Sequence, residues 1–165
     1  FTPQDAIRDP LWSRGLGDVY KRQIKCRKSD LKPSCVVIVA TIRALKMHGG
    51  VAKDDLKNEN VDALKKGLVN LERHISNIKK FGLTPIVAIN SFILDTKKEI
   101  SAVKDFCKSQ KVEVSESTHW ADGGKGAKDL AKKVVKICKV SKKKNFKFFF
   151  VNNIFSFCSF QLFLS

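Results

Sequence analysis

The chain is short of acidic residues: 16 Asp and Glu stand against 32 Lys and Arg, a net charge of +16. No acidic residue follows Asp129. Such a balance keeps polyanionic partners in view: nucleic acid, an anionic membrane, or a phosphorylated or polyglutamylated substrate. The lysines, however, are spread along predicted helices and are not interleaved with aromatic residues. A stacking surface for single-stranded nucleic acid needs that interleaving, so a solvated lysine-rich surface is the plainer reading and no nucleic-acid partner is expected. The five cysteines contain no C-x-x-C pair and no zinc-ligand spacing. The three histidines do not pair at metal-ligand spacing, so no metal site is expected. Cys35, Cys107 and Cys138 fall in apolar patterns and read as reduced core residues. This suggests a reducing compartment, the cytoplasm or an organelle. A phosphate-binding G-x-x-x-x-G-K-[ST] loop is also lacking.

The two ends do not resemble the middle. Residues 1–23 show little periodicity and no apolar signal-peptide core. DPLWSRGLGDVYKRQ reads like translated adaptor sequence, so a non-native or disordered arm is expected there. Residues 141–165 are first basic, then crowded with Phe, Ser and Asn, like A/T-rich non-coding DNA read as protein. The uncharged run 148–165 has the length of a membrane helix. Asn152, Asn153 and Gln161 argue against one, and a non-native tail is expected. That leaves one α/β domain, 24–140.

Within it, Cys35–Ala40 (CVVIVA) and the core of 84–96 (TPIVAINSFILDT) are apolar at consecutive positions. Strands covered on both faces read in this way. A short third strand is expected at 112–114. Residues 58–81 carry an apolar stripe of Val61, Leu64, Leu68, Leu71, Ile75 and Ile78, with Asn58 as the N-cap, Gly82 as the stop and His74 at the stripe's edge. Thr96 and Glu99 form a capping box that opens a helix running to about Ser109. A last helix from Ala127 buries Leu130, Val134, Ile137 and Cys138. The order β-α-β-α-β-α implies a parallel sheet with flanking helices, a Rossmann-like arrangement.

Ligands of such sheets bind beyond the carboxyl ends of the strands. That places Asn90, Ser91, Phe92 and Asp95 after the central strand and Trp120 after the third. Phe92 and Trp120, on one sheet edge, would sandwich a flat heteroaromatic ring; ordinary core packing is the competing account. Residues 41–50 read as a loop with three cations, Arg43, Lys46 and His48, placed where they could meet an anion at a strand end; ordinary surface charge is the plainer reading. Gly123, Gly124 and Gly126 precede a helix, where backbone amides hold phosphate or carboxylate; a tight connection is the bland reading.

KPSCVVIVATIRALKMHGG, TPIVAINSFILDT and STHWADGGKGA, in that order, resemble formate–tetrahydrofolate ligases, with a likeness running from about Ile24 to Cys138. The resemblance implies an α/β fold related to P-loop NTPases. It also implies a reaction in which ATP and formate give formyl phosphate, whose formyl group passes to tetrahydrofolate. It assigns the Phe of A-I-N-x-F and the Trp of W-A-x-G-G, here Phe92 and Trp120, to the two faces of the folate pterin. Asn90, Asp95, Gly123, Gly124 and Arg43 would shape the same edge. Family members use Mg2+ and a monovalent cation, and bacterial ones are homotetramers. Their phosphate-binding loop lies in a part this chain does not contain, so the chain by itself is expected to be inactive. Ser34 and Cys35 depart from the family pattern without an evident loss. A non-catalytic nucleotide-binding or basic RNA-binding α/β module is the alternative.

Overall fold

The computed structural model describes residues 33–140 with their side chains, and Ser141 and Ser159–Phe163 as backbone. Readings made for 1–23 and for most of 142–165, Cys26 and Cys158 included, lie outside the described residues. Three strands, β1 (Cys35–Ala40), β2 (Thr84–Asn90) and β3 (Glu113–Ser117), are parallel, with β2 in the centre. The α/β class and parallel sheet expected from the consecutive apolar runs are present. β1 and β2 are buried along nearly their whole length. β4 (Ser159–Phe163) pairs antiparallel with β1, giving the order β3-β2-β1-β4. No strand was read there from the sequence. It covers the edge of β1 whose N–H and C=O groups β2 does not reach, as an unpaired sheet edge requires.

Alternation along each strand sends successive side chains to opposite faces. Val36, Ile38, Ala40, Val87 and Ile89 meet α1 (Ile42–His48), α2 (Val61–Lys80) and α3 (Lys97–Ser109) in the larger core. Cys35, Val37, Ile86 and Ala88 meet Val134 of α5 (Lys128–Ser141) in a smaller one. Between β3 and α5 lie the single turn α4 (His119–Asp122) and a 3-10 turn, Gly123–Ala127.

The stripe on α2 is buried as its spacing predicts, at Leu64, Leu68, Leu71, Ile75 and Ile78. Each such side chain contributes about 1.5–3 kcal/mol relative to exposure. Gly67 interrupts a good helix pattern for a packing reason: a Cβ there would overlap the Leu45 carbonyl of α1. Gly82 follows the helix with φ +77°, the left-handed conformation of a helix stop.

Four readings need correction. The cap of α2 is Asn60, whose side chain accepts from the Ala63 N–H at 2.9 Å, and not Asn58. The Asn58 carbonyl instead accepts from the Lys46 ammonium, after a 3-10 turn at Asp54–Lys57. Residues 41–50 are not a loop, because Thr41 caps α1 by accepting from the Ala44 N–H at 3.2 Å. β3 runs to Ser117, since Ser115 and Ser117 turn inward while Glu113 stays exposed. His74 is 3% exposed and sits inside the stripe, not at its edge.

Candidate ligand site at the carboxyl edge of the sheet

β2 and β3 end side by side. Asn90 pairs with Ser117, and the next N–H, of Ser91, donates to the Ser117 carbonyl at 3.1 Å. The chain then turns at Phe92, whose N–H donates to Asp95 Oδ2 at 2.8 Å while the Asp95 N–H returns to the Phe92 carbonyl at 3.0 Å. The reciprocal Thr96–Glu99 capping box starts α3 directly afterwards. Phe92 is therefore held by its own backbone. Trp120 arrives from α4, and its indole N–H donates to the Ser91 carbonyl at 3.1 Å.

These constraints bring the two rings together, with centroids 6.0 Å apart and planes inclined by 30°. Trp120 stays 48% exposed and Phe92 half-buried. Atoms in contact lie about 3.5–4 Å apart, so a flat ring seated between two others needs about 7 Å. The rings touch each other and form a wedge that must part by roughly 1 Å to admit such a ring. Arg43 of α1 is exposed and places its guanidinium 5.7 Å from the Phe92 centroid, within cation–π range.

Of the other candidates, Asp95 belongs to the Phe92 turn. Burial pushes its carboxyl above the usual range, and Glu99 adds to this, against the lowering effect of the Phe92 N–H, Lys46 and Arg43. Asn90 closes β2 with its side-chain oxygen buried and without a partner. Such a group costs about 1–3 kcal/mol. Gly123 and Gly124 start the 3-10 turn, so the run is helical and not an open loop. Gly123 has φ +56°, and a Cβ on either residue would meet nothing within 4 Å. Gly126 differs, because a Cβ there would lie 2.6 Å from Thr118.

Lys46 does not join the site. It is 1% exposed and bonds Glu99 Oε1 at 3.0 Å, the Leu56 carbonyl at 2.8 Å and the Asn58 carbonyl at 3.1 Å. All three ammonium donors are thereby used. Its spacing from Ile42 and Leu45 on one helical face was the signal that it points inward. For Glu99, burial works to raise the pKa, but the Asn60 N–H, Lys46 and the Thr96 N–H outweigh it and hold the carboxyl below its usual range. His48 is half-buried and has no described contact with the rings. Sequence reasoning also missed the Ser117 hydroxyl, which lies 3.0 Å from His119 Nδ1 beside Asn90. Among the described residues no trio of His, Cys, Asp or Glu is placed to hold a metal ion, and no helix is long and apolar enough to cross a membrane.

The site can stack a flat ring, offer a guanidinium beside it, and accept a hydrogen bond at the sheet edge. Comparison with known proteins bears on which ring. A family model described as formate–tetrahydrofolate ligase matches residues 13–156, a span wider on both sides than the 24–138 carried by the motifs. A formate–tetrahydrofolate ligase of Pelagibacter ubique is 65% identical over 135 residues, covering 82% of this chain and 24% of that protein. One of Granulibacter bethesdensis is 59% identical over 114 residues, 69% of this chain and 20% of that protein. One of Staphylococcus aureus is 55% identical over 122 residues, 74% and 22%. The chain thus spans a quarter or less of the length of these curated relatives.

Proposed function

The chain belongs to the formate–tetrahydrofolate ligase family, and from that premise we propose that this segment holds the pterin of tetrahydrofolate between Phe92 and Trp120. The whole protein then joins formate to tetrahydrofolate with ATP, by way of formyl phosphate. The observation that carries the reading is the ring pair converging from two adjacent strand ends. Core packing accounts poorly for a tryptophan that is half exposed and anchored to the sheet edge through its indole N–H. The wedge parts by movement of Trp120, since Phe92 is fixed in its turn. Arg43 lies where it would meet the carboxylates of a glutamate tail. Asn90, Asp95, Gly123 and Gly124 shape the floor of the same edge.

The segment's share of the chemistry is binding and orientation. ATP, Mg2+ and a monovalent cation belong to the reaction of the whole protein. Among the described residues neither a G-x-x-x-x-G-K-[ST] loop nor a carboxylate cluster fits them. A homo-oligomeric assembly in the cytoplasm or an organelle is part of the same proposal.

Titration calorimetry of the full chain with tetrahydrofolate tests the reading. Binding is expected, weakened about tenfold or more, equivalent to about 1.4 kcal/mol, by Phe92→Ala or Trp120→Ala. No binding, or salt-sensitive retention of RNA in its place, overturns it.

A further inference from the structure

Asn90 is the last residue of β2, and its side-chain oxygen is buried without a hydrogen-bond partner. Two-residue spacing puts it on the face of Ile86 and Ala88, toward α5. Its neighbour across the sheet, Ser117, does not serve it, because that hydroxyl is engaged with His119. Buried acceptors are almost always satisfied, and one that is not calls for an explanation at its own position. Here the position is telling. The next residue, Ser91, anchors the Trp120 indole, and the one after it is Phe92.

Stacking alone does not distinguish one edge of a flat ring from another, since every such ring has the same kind of face. A hydrogen-bonding group beside the stack does. We infer that the Asn90 side-chain oxygen accepts a hydrogen bond from a ring N–H or amino group of the stacked heterocycle, and so fixes which edge of the ring faces the sheet. The inference rests on the reading of Phe92 and Trp120 as the ring-binding pair. It adds a requirement that the pair does not impose: the ligand must present a donor edge, as a 2-amino-4-oxo heterocycle does.

The consequence runs opposite to that of a structural asparagine. Replacing an unsatisfied buried polar group by an apolar one of similar size removes a desolvation penalty. Asn90→Leu should therefore leave the melting temperature of the full chain unchanged or raise it, while weakening tetrahydrofolate about tenfold or more. Asn90→Asp, which keeps an acceptor oxygen, should recover part of that loss. A naphthalene-ring analogue carrying the same side arm, which has no ring donors, should bind wild type and Asn90→Leu alike.

Calorimetry with both ligands, paired with thermal melts, reads all of this. If wild type binds tetrahydrofolate and Asn90→Leu binds it equally well, the inference fails and the ring-pair reading stands. The inference fails in the same way if Asn90→Leu melts early and its folded fraction binds normally. If wild type binds neither ligand, the ring-pair reading fails and takes the inference with it.

Discussion

Two polar groupings occupy the same end of the sheet, and the contrast between them separates structure from function. Lys46 and Glu99 are 1% and 0% exposed, and every hydrogen-bonding position between them is answered. The ammonium has three acceptors, and the carboxylate receives the Asn60 N–H on one oxygen and the Thr96 N–H on the other. A few residues away, Asn90 keeps an unanswered oxygen, Trp120 leaves half its surface in solvent, and Arg43 stands exposed over Phe92. A buried charge pair with complete partners ties α1, α2 and α3 to one another. Polar and aromatic groups left incomplete at a strand end suit something that comes from outside the chain.

The largest expected effect lies on the complete side. Lys46→Ala leaves Glu99 buried and unpaired, which typically costs about 3–5 kcal/mol. Urea unfolding should show that loss. Adding Glu99→Gln to Lys46→Met should restore part of it, because the uncompensated charge is gone, while the amide keeps an acceptor oxygen for only one of the Asn60 and Thr96 N–H groups. Equal losses in Lys46→Ala and in the paired variant would mean that packing, not charge, makes this junction.

Next in size are the rings. Trp120→Ala should weaken tetrahydrofolate about tenfold, and the change in stability should stay near 1 kcal/mol because so much of the ring is already in solvent. Phe92→Ala should do the same to binding with a somewhat larger change in melting. Phe92→Tyr should be mild if the ring face does the binding. If both alanine variants lose several kcal/mol of stability and their folded fraction binds normally, the two residues are core and the two groupings do not differ in kind.

Acidity offers a smaller effect of opposite sign at the two carboxylates. Glu99 is held below its ordinary value of 4.5, so its contribution is present above that value and is lost as pH falls through the lower folded one. Asp95 is pushed above its ordinary value of 3.8, so it works against the folded state at neutral pH and is relieved as pH falls. Urea midpoints measured from pH 7 downward should therefore drop less steeply in Glu99→Gln than in wild type. They should drop more steeply in Asp95→Asn, which loses the relief. Parallel curves for all three proteins would show that neither carboxyl senses its surroundings.

How far the sequence foretold this edge depended on whether the pattern was local. The consecutive apolar runs of β1 and β2, the stripe of α2 and the Thr96–Glu99 box are spelled out by neighbouring residues, and each is in place. Phe92 and Trp120 were legible as two rings after two strands, because adjacent parallel strands end at one edge. Lys46 was misjudged because its partners come from 10, 12 and 53 positions further along the chain, at Leu56, Asn58 and Glu99. The helical spacing from Ile42 and Leu45 shows that Lys46 faces inward, but no local signal names acceptors that remote. The same holds for Asn58, whose carbonyl was claimed by Lys46 while Asn60 took the cap. β4 escaped notice because residues 141–165 read as a non-native tail, although Ser159-Phe160-Gln161-Leu162 alternates polar and apolar as a strand does. Its pairing depends on the edge that β1 presents.

The smallest effect comes from the glycine turn, and it probes the incomplete side where no side chain exists to remove. A Cβ on Gly126 would lie 2.6 Å from Thr118, so packing explains that glycine. A Cβ on Gly124 would meet nothing within 4 Å, and Gly124 is not among the residues with positive φ. Neither conformation nor packing calls for a glycine there. If the protein needs bare backbone at Gly124, the need comes from a ligand that approaches closely. Gly124→Ala should then leave stability within about 0.5 kcal/mol of wild type, or raise it slightly by restricting the unfolded chain. Tetrahydrofolate affinity should fall about threefold to tenfold, a loss of roughly 0.7–1.4 kcal/mol. Gly126→Ala should instead lower the melting temperature clearly, with affinity following the folded fraction. Melts and calorimetry on the two variants, side by side, decide whether the turn belongs to the site. Wild-type affinity in Gly124→Ala would remove the glycine run from it and leave the edge to Asn90, Arg43 and the two rings.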